Sequence, residues 1–200
     1  MLEVHMPQGL EVQVLSSPPF QSSKYELRSA NFMIWLYLIV FIFALTFLYA
    51  SWRAAPWLPM FARDVQRAAE LAAFKPGEKF FDLGAGDGRI LLAASALGAQ
   101  AEGFEISLLP YLIAKFKIIF SREKNRPKIF FHDFWKINLA GADVIFVFLL
   151  PRIMEKLKVK MEKELKPGTR IICYTWPMPG WTAKTVSKAE GGAKVYLYIR

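Results

Sequence analysis

The sequence has few of the side chains that most often bind metals or form covalent intermediates. It contains one cysteine and two histidines among 200 residues. Cys173 has no disulfide partner within the chain, and because it lies in the apolar run 170–176 we predict a buried core thiol. His5 and His132 are far apart in sequence and have no cysteine partners, so we predict no metal site. No Ser-His-Asp or Cys-His arrangement is evident, and the sequence assigns no catalytic residue.

Charged residues are absent from one long segment. The run from Phe32 to Ala50 has 19 uncharged residues, which as a helix would be about 28 Å long and would cross a bilayer core. A cleaved signal peptide fits less well, because its apolar region is usually only about 7–15 residues long. A buried helix of a soluble core would seldom be apolar on every face. We therefore predict a transmembrane helix at 32–50, after a flexible N-terminal lead at 1–31 that contains SSPPFQSS.

Acidic residues are scarce after the predicted span. Residues 51–200 carry 24 Lys and Arg against 14 Asp and Glu, a net charge of +10. Such a domain would be attracted to anionic lipid head groups or to nucleic acid. Beside a membrane anchor we favour the lipid bilayer as the partner, and not nucleic acid. Because most basic residues follow the span, the positive-inside tendency predicts a cytoplasmic C-terminal domain.

The run 80–89, FFDLGAGDGR, points to a ligand-binding turn. An apolar strand ends in an acid, and three alternating glycines, at 84, 86 and 88, open a predicted helix. Glycines let the backbone turn sharply and let a ligand approach where a Cβ would block it. The N-terminus of the helix also offers unpaired N–H groups. A dinucleotide fingerprint, G-x-G-x-x-G, would need its third glycine at position 89, which is Arg89.

The turn has a different spacing, with Asp82 two residues before the first glycine. In this it resembles motif I of the class I, seven-strand S-adenosylmethionine-dependent methyltransferases. In that family the glycine turn packs against the methionine part of the cofactor, and the strand-end acid helps to hold its amino-acid group. The resemblance implies S-adenosyl-L-methionine as the cofactor. The residues that it assigns to cofactor binding here are Asp82, Gly84, Ala85, Gly86, Asp87 and Gly88.

Two further acids follow predicted strands. The run 101–107, AEGFEIS, predicts a strand ending at Glu105, 23 residues after Asp82. A carboxylate there can accept both ribose hydroxyls, as in dinucleotide-binding folds, and we add the adjacent Ile106 to the cofactor-binding residues. One strand-end acid alone is more often a helix cap or a solvated turn.

The third predicted strand, in the run 128–135, ends in Asp133 and Phe134. The resemblance implies that these residues bind the adenine amine and stack on the adenine ring. Three acids in register after three strand-like runs are a stronger indication than any one of them.

Strand-like and helix-like runs alternate along the chain. The predicted elements are helix 59–73, strand 79–83, helix 88–97, strand 100–105, helix 107–121, strand 128–132, strand 143–148, helix 151–165, strand 169–175 and a hairpin within 185–200. This order predicts an α/β fold, a Rossmann-like seven-stranded and mostly parallel sheet with an antiparallel C-terminal hairpin. The methyltransferase domain is predicted at 76–200, after a linker and first helix at 51–75.

The loops after the fourth and fifth strands should form the substrate rim. The segment 148–152, FLLPR, lacks the polar residue and the second proline of a motif that amino-methylating DNA and glutamine enzymes share, which disfavours a nucleobase or amide nitrogen. The loop 174–181, YTWPMPGW, has three large aromatics and two prolines. Aromatic faces attract cations, so Tyr174, Trp176 and Trp181 are predicted to bind a lysine ammonium. Alternatively, they cover the core or lie at the membrane interface.

Six motifs together narrow the resemblance. They are APWLPMF, DLGAGDGR, GFEIS, DFW, FLLP and WPMPGW. With the apolar span, they resemble the membrane-anchored mitochondrial lysine methyltransferases of the adenine nucleotide translocase and the ATP synthase c subunit, and their prokaryotic relatives, over residues 32–200. The lead has one arginine and three acids, unlike a mitochondrial targeting segment, so we expect a prokaryotic plasma membrane. Met60 and Phe61 stand where those relatives tend to have a small hydroxyl residue.

The sequence thus predicts a membrane-anchored S-adenosylmethionine-dependent N-methyltransferase that modifies a lysine of a membrane protein. A small-molecule or lipid methyltransferase would share every cofactor residue and differ only at the rim. A non-catalytic membrane interaction module would require a vestigial cofactor turn, which the intact glycines and acids disfavour.

Overall fold

A computed structural model describes residues 22–53, 57–123 and 125–200. The first 21 residues of the predicted flexible lead lie outside this range. The first element is the helix α1, Ser22–Arg53, which contains the predicted span. Its segment Arg28–Trp52 is long and apolar enough to cross a membrane, with a mean hydropathy of 2.4, although a signal sequence near an N-terminus would pass the same test.

The chain divides into two compact units between Val40 and Phe41. In the first unit, the described side chains from Arg28 to Val40 are all exposed. The second unit contains the end of α1 and an α/β domain. The elements of this domain are α2 Ala62–Ala72, β1 Lys79–Leu83, α3 Arg89–Ala96, β2 Gln100–Glu105, α4 Leu108–Ile119, β3 Lys128–Phe131, β4 Val144–Val147, α5 Pro151–Glu164, β5 Arg170–Tyr174, β6 Thr185–Ser187 and β7 Val195–Ile199.

The strands form one seven-stranded sheet in the order β3-β2-β1-β4-β5-β7-β6. The first five are parallel and β7 runs antiparallel to both β5 and β6. The predicted fold class is therefore confirmed, including the terminal hairpin. The order reverses between β1 and β4, and in such sheets ligands bind at the carboxyl ends of the strands on either side of that point.

Apolar residues on both faces of the central strands explain why the sheet is covered by helices on two sides. Phe81 and Ile145 pack in a core with α5, whereas Phe80 and Val144 pack in a second core with α2 and α3. The uninterrupted apolar run of β4 is typical of a parallel strand buried on both faces. The predicted burial of Cys173 is confirmed, and burial raises the pKa of its thiol.

The element bounds differ from the predicted ones by one to three residues, at both ends of helices and at several strand ends. The helix predicted from Pro59 begins at Ala62, and the Arg89 guanidinium binds the carbonyl of Met60 in the preceding segment. The helix predicted from Gly88 begins at Arg89 because Gly88 caps it with a left-handed φ of 75°.

Candidate functional site

The turn between β1 and α3 depends on its three glycines. Gly84, Gly86 and Gly88 have φ of 90°, 54° and 75°, values that other residues seldom adopt. A Cβ on Gly86 would lie 2.9 Å from Cδ1 of Trp57, and one on Gly88 would lie 3.0 Å from Cβ of Ala114. Larger side chains would therefore strain the backbone and also fill the space beside the turn.

A cleft opens above this turn at the carboxyl ends of β1, β2 and β4. It brings together most residues that the sequence assigned to the cofactor, which come from the ends of β1 and β2 and from the segment after β3. The predicted residues that line it are Asp82, Gly84, Ala85, Gly86, Asp87, Glu105, Ile106, Asp133 and Phe134. Gly88 lies one step behind, where it packs against α4.

Asp82 is the penultimate residue of β1 and lines this cleft with a carboxyl group that is almost fully buried. Its Oδ2 accepts no hydrogen bond from the described residues. Burial raises the pKa of this carboxyl well above its usual value, and the nearby Glu105 and Asp87 raise it further. A buried carboxylate oxygen without a donor is costly. A hydrogen bond from an ammonium group of a ligand would remove that cost.

Glu105 ends β2 and is fixed by the backbone around it. Its Oε2 accepts the N–H of Gly86 at 2.8 Å, and its Oε1 accepts the N–H groups of Ile106 and Ser107 at 2.9 and 2.7 Å. Burial raises the pKa of Glu105, and these three N–H groups oppose that rise. A carboxylate has about four acceptor positions, so the Glu105 oxygens can still accept ribose hydroxyls while the bonds tie the glycine turn to β2.

Asp133 and Phe134 follow β3 at the other side of the cleft. The Oδ1 of Asp133 accepts the N–H of Trp135 at 3.0 Å and caps a short 3₁₀ helix, Phe134–Lys136. Phe134 is 5% exposed and extends from the cleft into the core. The pair thus offers an acidic group and an aromatic ring at one wall, the combination expected for an adenine.

Asp87 lies in the glycine turn but its carboxylate is already paired. Arg89 and Lys117 donate to its Oδ2 at 2.6 and 2.5 Å. Burial would raise the pKa of Asp87, but these two hydrogen bonds lower it. Asp87 therefore joins the turn to α3 and α4.

Two polar residues of the cleft were not identified from the sequence. The Nε1–H of Trp57 and the Oγ of Ser107 are buried, and neither has a hydrogen-bond partner among the described residues. Trp57 lies against Gly86. Ser107 follows Glu105 by two residues, so its position just after a strand end could have indicated that it lines the cleft. Trp57 lies in the APWLPMF segment, where nothing in the spacing indicated a contact with the turn. Both groups could exchange hydrogen bonds with a ligand.

The three aromatic residues predicted to bind substrate are in different surroundings. Tyr174 is buried, and its hydroxyl donates to the Oδ2 of Asp64 at 2.7 Å. Trp181 donates from Nε1 to Glu162 at 2.9 Å. Trp176 is 42% exposed. None of the three is among the residues that line the described part of the cleft.

Phe148 connects the aromatic loop to the cleft. It lines the cleft itself, and its ring meets that of Tyr174 edge-on, with centroids 4.6 Å apart. Leu149 lies beside it. The wall after β4 is therefore apolar, in keeping with the missing polar motif in the sequence.

Comparisons with known proteins agree with this geometry. The sequence model of a family described as "ANTKMT methyltransferase domain" matches residues 82–185. A protein-lysine N-methyltransferase of Saccharolobus islandicus is 36% identical over 149 residues, 72% of this chain and 92% of that protein. The adenine nucleotide translocase lysine N-methyltransferase of Mus musculus is 34% identical over 146 residues, 72% of this chain and 62% of that protein.

A similar solved structure contains the demethylated form of the cofactor. An RNA methyltransferase from Salinibacter ruber, in complex with S-adenosyl-L-homocysteine, matches with a TM-score of 0.67 and 27% identity, over 71% of this chain and 93% of that chain. S-adenosyl-L-homocysteine is the product that S-adenosylmethionine leaves after methyl transfer. The chain therefore belongs to the ANTKMT methyltransferase domain family and is a class I, S-adenosylmethionine-dependent methyltransferase.

Proposed function

We propose that this chain is a membrane-anchored N-methyltransferase that methylates a lysine side chain of a membrane protein. The observation that carries the proposal is the buried, unpaired oxygen of Asp82 beside the glycine turn, opposite a Glu105 that the backbone holds in place. Lysine as the acceptor is supported by the relatives from S. islandicus and M. musculus, which are both named as lysine N-methyltransferases.

Three of the acidic residues of the cleft would each contact a different part of the cofactor. Asp82 would accept hydrogen bonds from the ammonium group, Glu105 from the ribose hydroxyls, and Asp133 from the adenine amine with Phe134 against the ring. Asp87 would act through the shape of the turn, because its carboxylate is already paired with two cations. The remaining contacts would come from Gly84, Ala85, Gly86 and Ile106, and Gly88 would act through the shape of the turn.

The protein must align an unprotonated amine with the methyl group and exclude water. When bound, S-adenosylmethionine supplies a methyl group that is attached to a sulfonium. After transfer of the methyl group, the sulfur remains in a neutral thioether. A lysine with a pKa near 10.4 costs about 4–5 kcal/mol to deprotonate at neutral pH. Apolar surroundings and a nearby positive charge disfavour the ammonium and reduce that cost. Phe148 and Leu149 on the cleft wall support such a site.

The aromatic loop would shape the entrance for the lysine stem. Trp176 has an exposed ring that can pack against a substrate. Tyr174 would act through Phe148, since its own hydroxyl is bound to Asp64. Trp181 would support the outer part of the loop through Glu162.

The proposed anchor is α1, with the catalytic domain on the cytoplasmic side of a prokaryotic plasma membrane. No residue of its most hydropathic window is buried, which favours lipid over protein as its surroundings. Ala50, near the end of that segment, lines the cleft. A cleft beside the end of a membrane span suits an acceptor that is itself in the membrane.

Methyl transfer into a membrane extract tests the proposal. The full chain would be incubated with membranes and S-adenosylmethionine that carries a radiolabelled methyl group, and protein, lipid and RNA would then be separated. We expect label in protein with the wild-type chain and little with Asp82→Ala. Label in lipid would favour the lipid methyltransferase, and label in RNA would favour the activity named for the S. ruber protein. Absence of label together with absence of cofactor binding would favour a non-catalytic module.

A further inference from the structure

The helix α4 has an apolar stripe on its solvent-exposed side. Leu109, Leu112, Phe116, Ile119 and the capping residue Phe120 are between 43% and 69% exposed. At 100° per residue, these five positions lie within an arc of about 100° on one side of the helix. A surface helix of a soluble domain normally has polar side chains on this side.

The opposite side of α4 already attaches the helix to the domain. Pro110, Ala114 and Ile118 are buried, and Ala114 packs directly against Gly88 in the glycine turn. The outward stripe is therefore not needed to hold α4 in place. A contiguous row of large exposed apolar side chains marks a contact surface.

The first turn of α4 lies beside the end of α1. The N–H of Leu108 donates to the hydroxyl of Thr46, with an N···O distance of 3.4 Å. Thr46 lies six residues before Trp52, where the candidate span ends, which is about 9 Å along a helix axis. If α1 crosses a bilayer, α4 therefore begins about 9 Å inside the end of the span, within the depth that interfacial helices occupy.

Charge indicates which partner the stripe fits. Lys115 lies beside it, with its ammonium 5.7 Å from the ring centroid of Tyr111, whereas Lys117 on the other side is paired with Asp87. Arg122 is exposed just beyond the end of the helix. With a net charge of +10 for residues 51–200, two copies of this domain would repel each other. Anionic lipid head groups would attract the same surface.

We propose that α4 lies in the membrane interface, with its outward stripe among the acyl chains of an anionic bilayer and with Lys115 and Arg122 at the head groups. The inference rests on the proposed role of α1 as an anchor and adds a second membrane contact to it. Interfacial helices insert their apolar face by roughly 5–10 Å. Because Glu105 and Ser107 lead directly into α4, this contact would fix the cleft at the bilayer surface.

Quenching of fluorescent labels by spin-labelled lipids tests this inference in the full chain. The variants Phe116→Cys on α4, Leu48→Cys in α1 and Val159→Cys on α5 would each carry a polarity-sensitive fluorophore. The three positions are matched in exposure, at 63%, 63% and 60%. Vesicles would contain phosphatidylcholine and phosphatidylglycerol, with or without spin-labelled lipid. The wild-type chain is the labelling control, because Cys173 is fully buried, and thermal melts would verify that each variant is folded.

The outcomes separate the inference from the proposed anchor. We expect several-fold quenching at positions 48 and 116 and little at 159. Quenching at position 48 without quenching at 116 would overturn the role of α4 and leave the anchor intact. Quenching at 116 without quenching at 48 would overturn the anchor and leave α4 as a membrane contact. A blue-shifted but unquenched label at 116 would assign the stripe to a protein partner and overturn the proposal. Absence of quenching at both positions would overturn both.

Discussion

At the scale of single residues, Asp82 explains how the cleft is prepared for a ligand. Its carboxyl is buried at the end of β1, one oxygen has no donor among the described residues, and burial raises its pKa. A hydrogen-bonded ligand ammonium would stabilise the ionised form. The residue therefore lowers the stability of the ligand-free protein and should raise its affinity for a cationic ligand.

Replacing Asp82 should separate affinity from stability. In Asp82→Asn we expect the affinity for S-adenosylmethionine to fall by roughly 10–100-fold, since a hydrogen bond to a charged group contributes about 1.5–3 kcal/mol. The melting temperature without ligand should stay the same or rise. Titration calorimetry and thermal melts measure the two quantities.

Asp143→Asn is the matched control for this prediction. Asp143 lies at the opposite end of the sheet, where it accepts hydrogen bonds from Lys79 and Lys166. Here we expect a lower melting temperature and unchanged affinity. Equal affinity of wild type and Asp82→Asn would contradict the role given to Asp82.

The raised pKa of Asp82 also predicts how stability depends on pH. The folded chain binds the carboxyl proton of Asp82 more tightly than the unfolded chain does. The resulting stability is complete below the unfolded pKa of about 3.9 and is lost as pH rises through the folded pKa. The melting temperature of ligand-free Asp82→Asn minus that of wild type should therefore grow as pH rises from about 4 towards neutrality. A difference that stays constant over this range would argue against a buried, ionising Asp82.

Gly86 and Gly168 provide a matched pair for the glycine turn. Both have a left-handed φ, but a Cβ on Gly86 would meet Trp57 whereas one on Gly168 would meet nothing within 4 Å. Each alanine variant should lose about 1–2 kcal/mol of stability from backbone strain. Only Gly86→Ala should also lose at least tenfold in cofactor affinity, as measured by calorimetry. Similar affinities for the two variants would mean that the turn is not in contact with the ligand.

At the scale of elements, α2 is attached to the sheet by a buried polar network. Asp64 in α2 is fully buried and accepts hydrogen bonds from Tyr174 in β5 and from Arg67. Arg67 in turn donates to the carbonyls of Ser187 and Ala193 beside the terminal hairpin. The network thus gives Tyr174 a structural role, in addition to the role in shaping the substrate entrance that we propose for its contact with Phe148.

The variant Tyr174→Phe should show how much the Tyr174 hydroxyl contributes to the stability of the fold. Loss of the hydroxyl leaves a buried carboxylate with one donor fewer, at a cost of about 1–3 kcal/mol. In a chain of this size the melting temperature should fall by about 2–4 °C for each kcal/mol. The control is Tyr196→Phe, where we expect little change. An unchanged melting temperature together with a raised KM for the lysine substrate would instead indicate a direct role for the hydroxyl in binding.

The elements were predictable from sequence because their patterns are local. The apolar run of β4 and the glycines after β1 identify a parallel sheet and a ligand turn without knowledge of any contact. The strand-end acids converge because parallel strands present their carboxyl ends at one edge. The contact of Trp57 with Gly86 and the bond from Tyr174 to Asp64 join residues 29 and 110 positions apart. Such contacts leave no periodic signal, so the sequence could not indicate them.

At the scale of the whole molecule, three features support the proposed reaction at a membrane surface. Ala50 of α1 lines the cofactor cleft, α4 has an exposed apolar stripe, and residues 51–200 carry a net charge of +10. An acceptor lysine close to the head groups would reach such a cleft without leaving the bilayer. The relatives named as lysine N-methyltransferases support the same acceptor chemistry.

Mass spectrometry of membrane proteins after incubation with the full chain and S-adenosylmethionine tests the central claim directly. The account predicts methyl groups on lysine side chains of an integral membrane protein, present with wild type and with Asp143→Asn and strongly reduced with Asp82→Asn at a limiting concentration of S-adenosylmethionine. Methylation confined to soluble proteins, or lysine methylation that persists undiminished in Asp82→Asn, would contradict it.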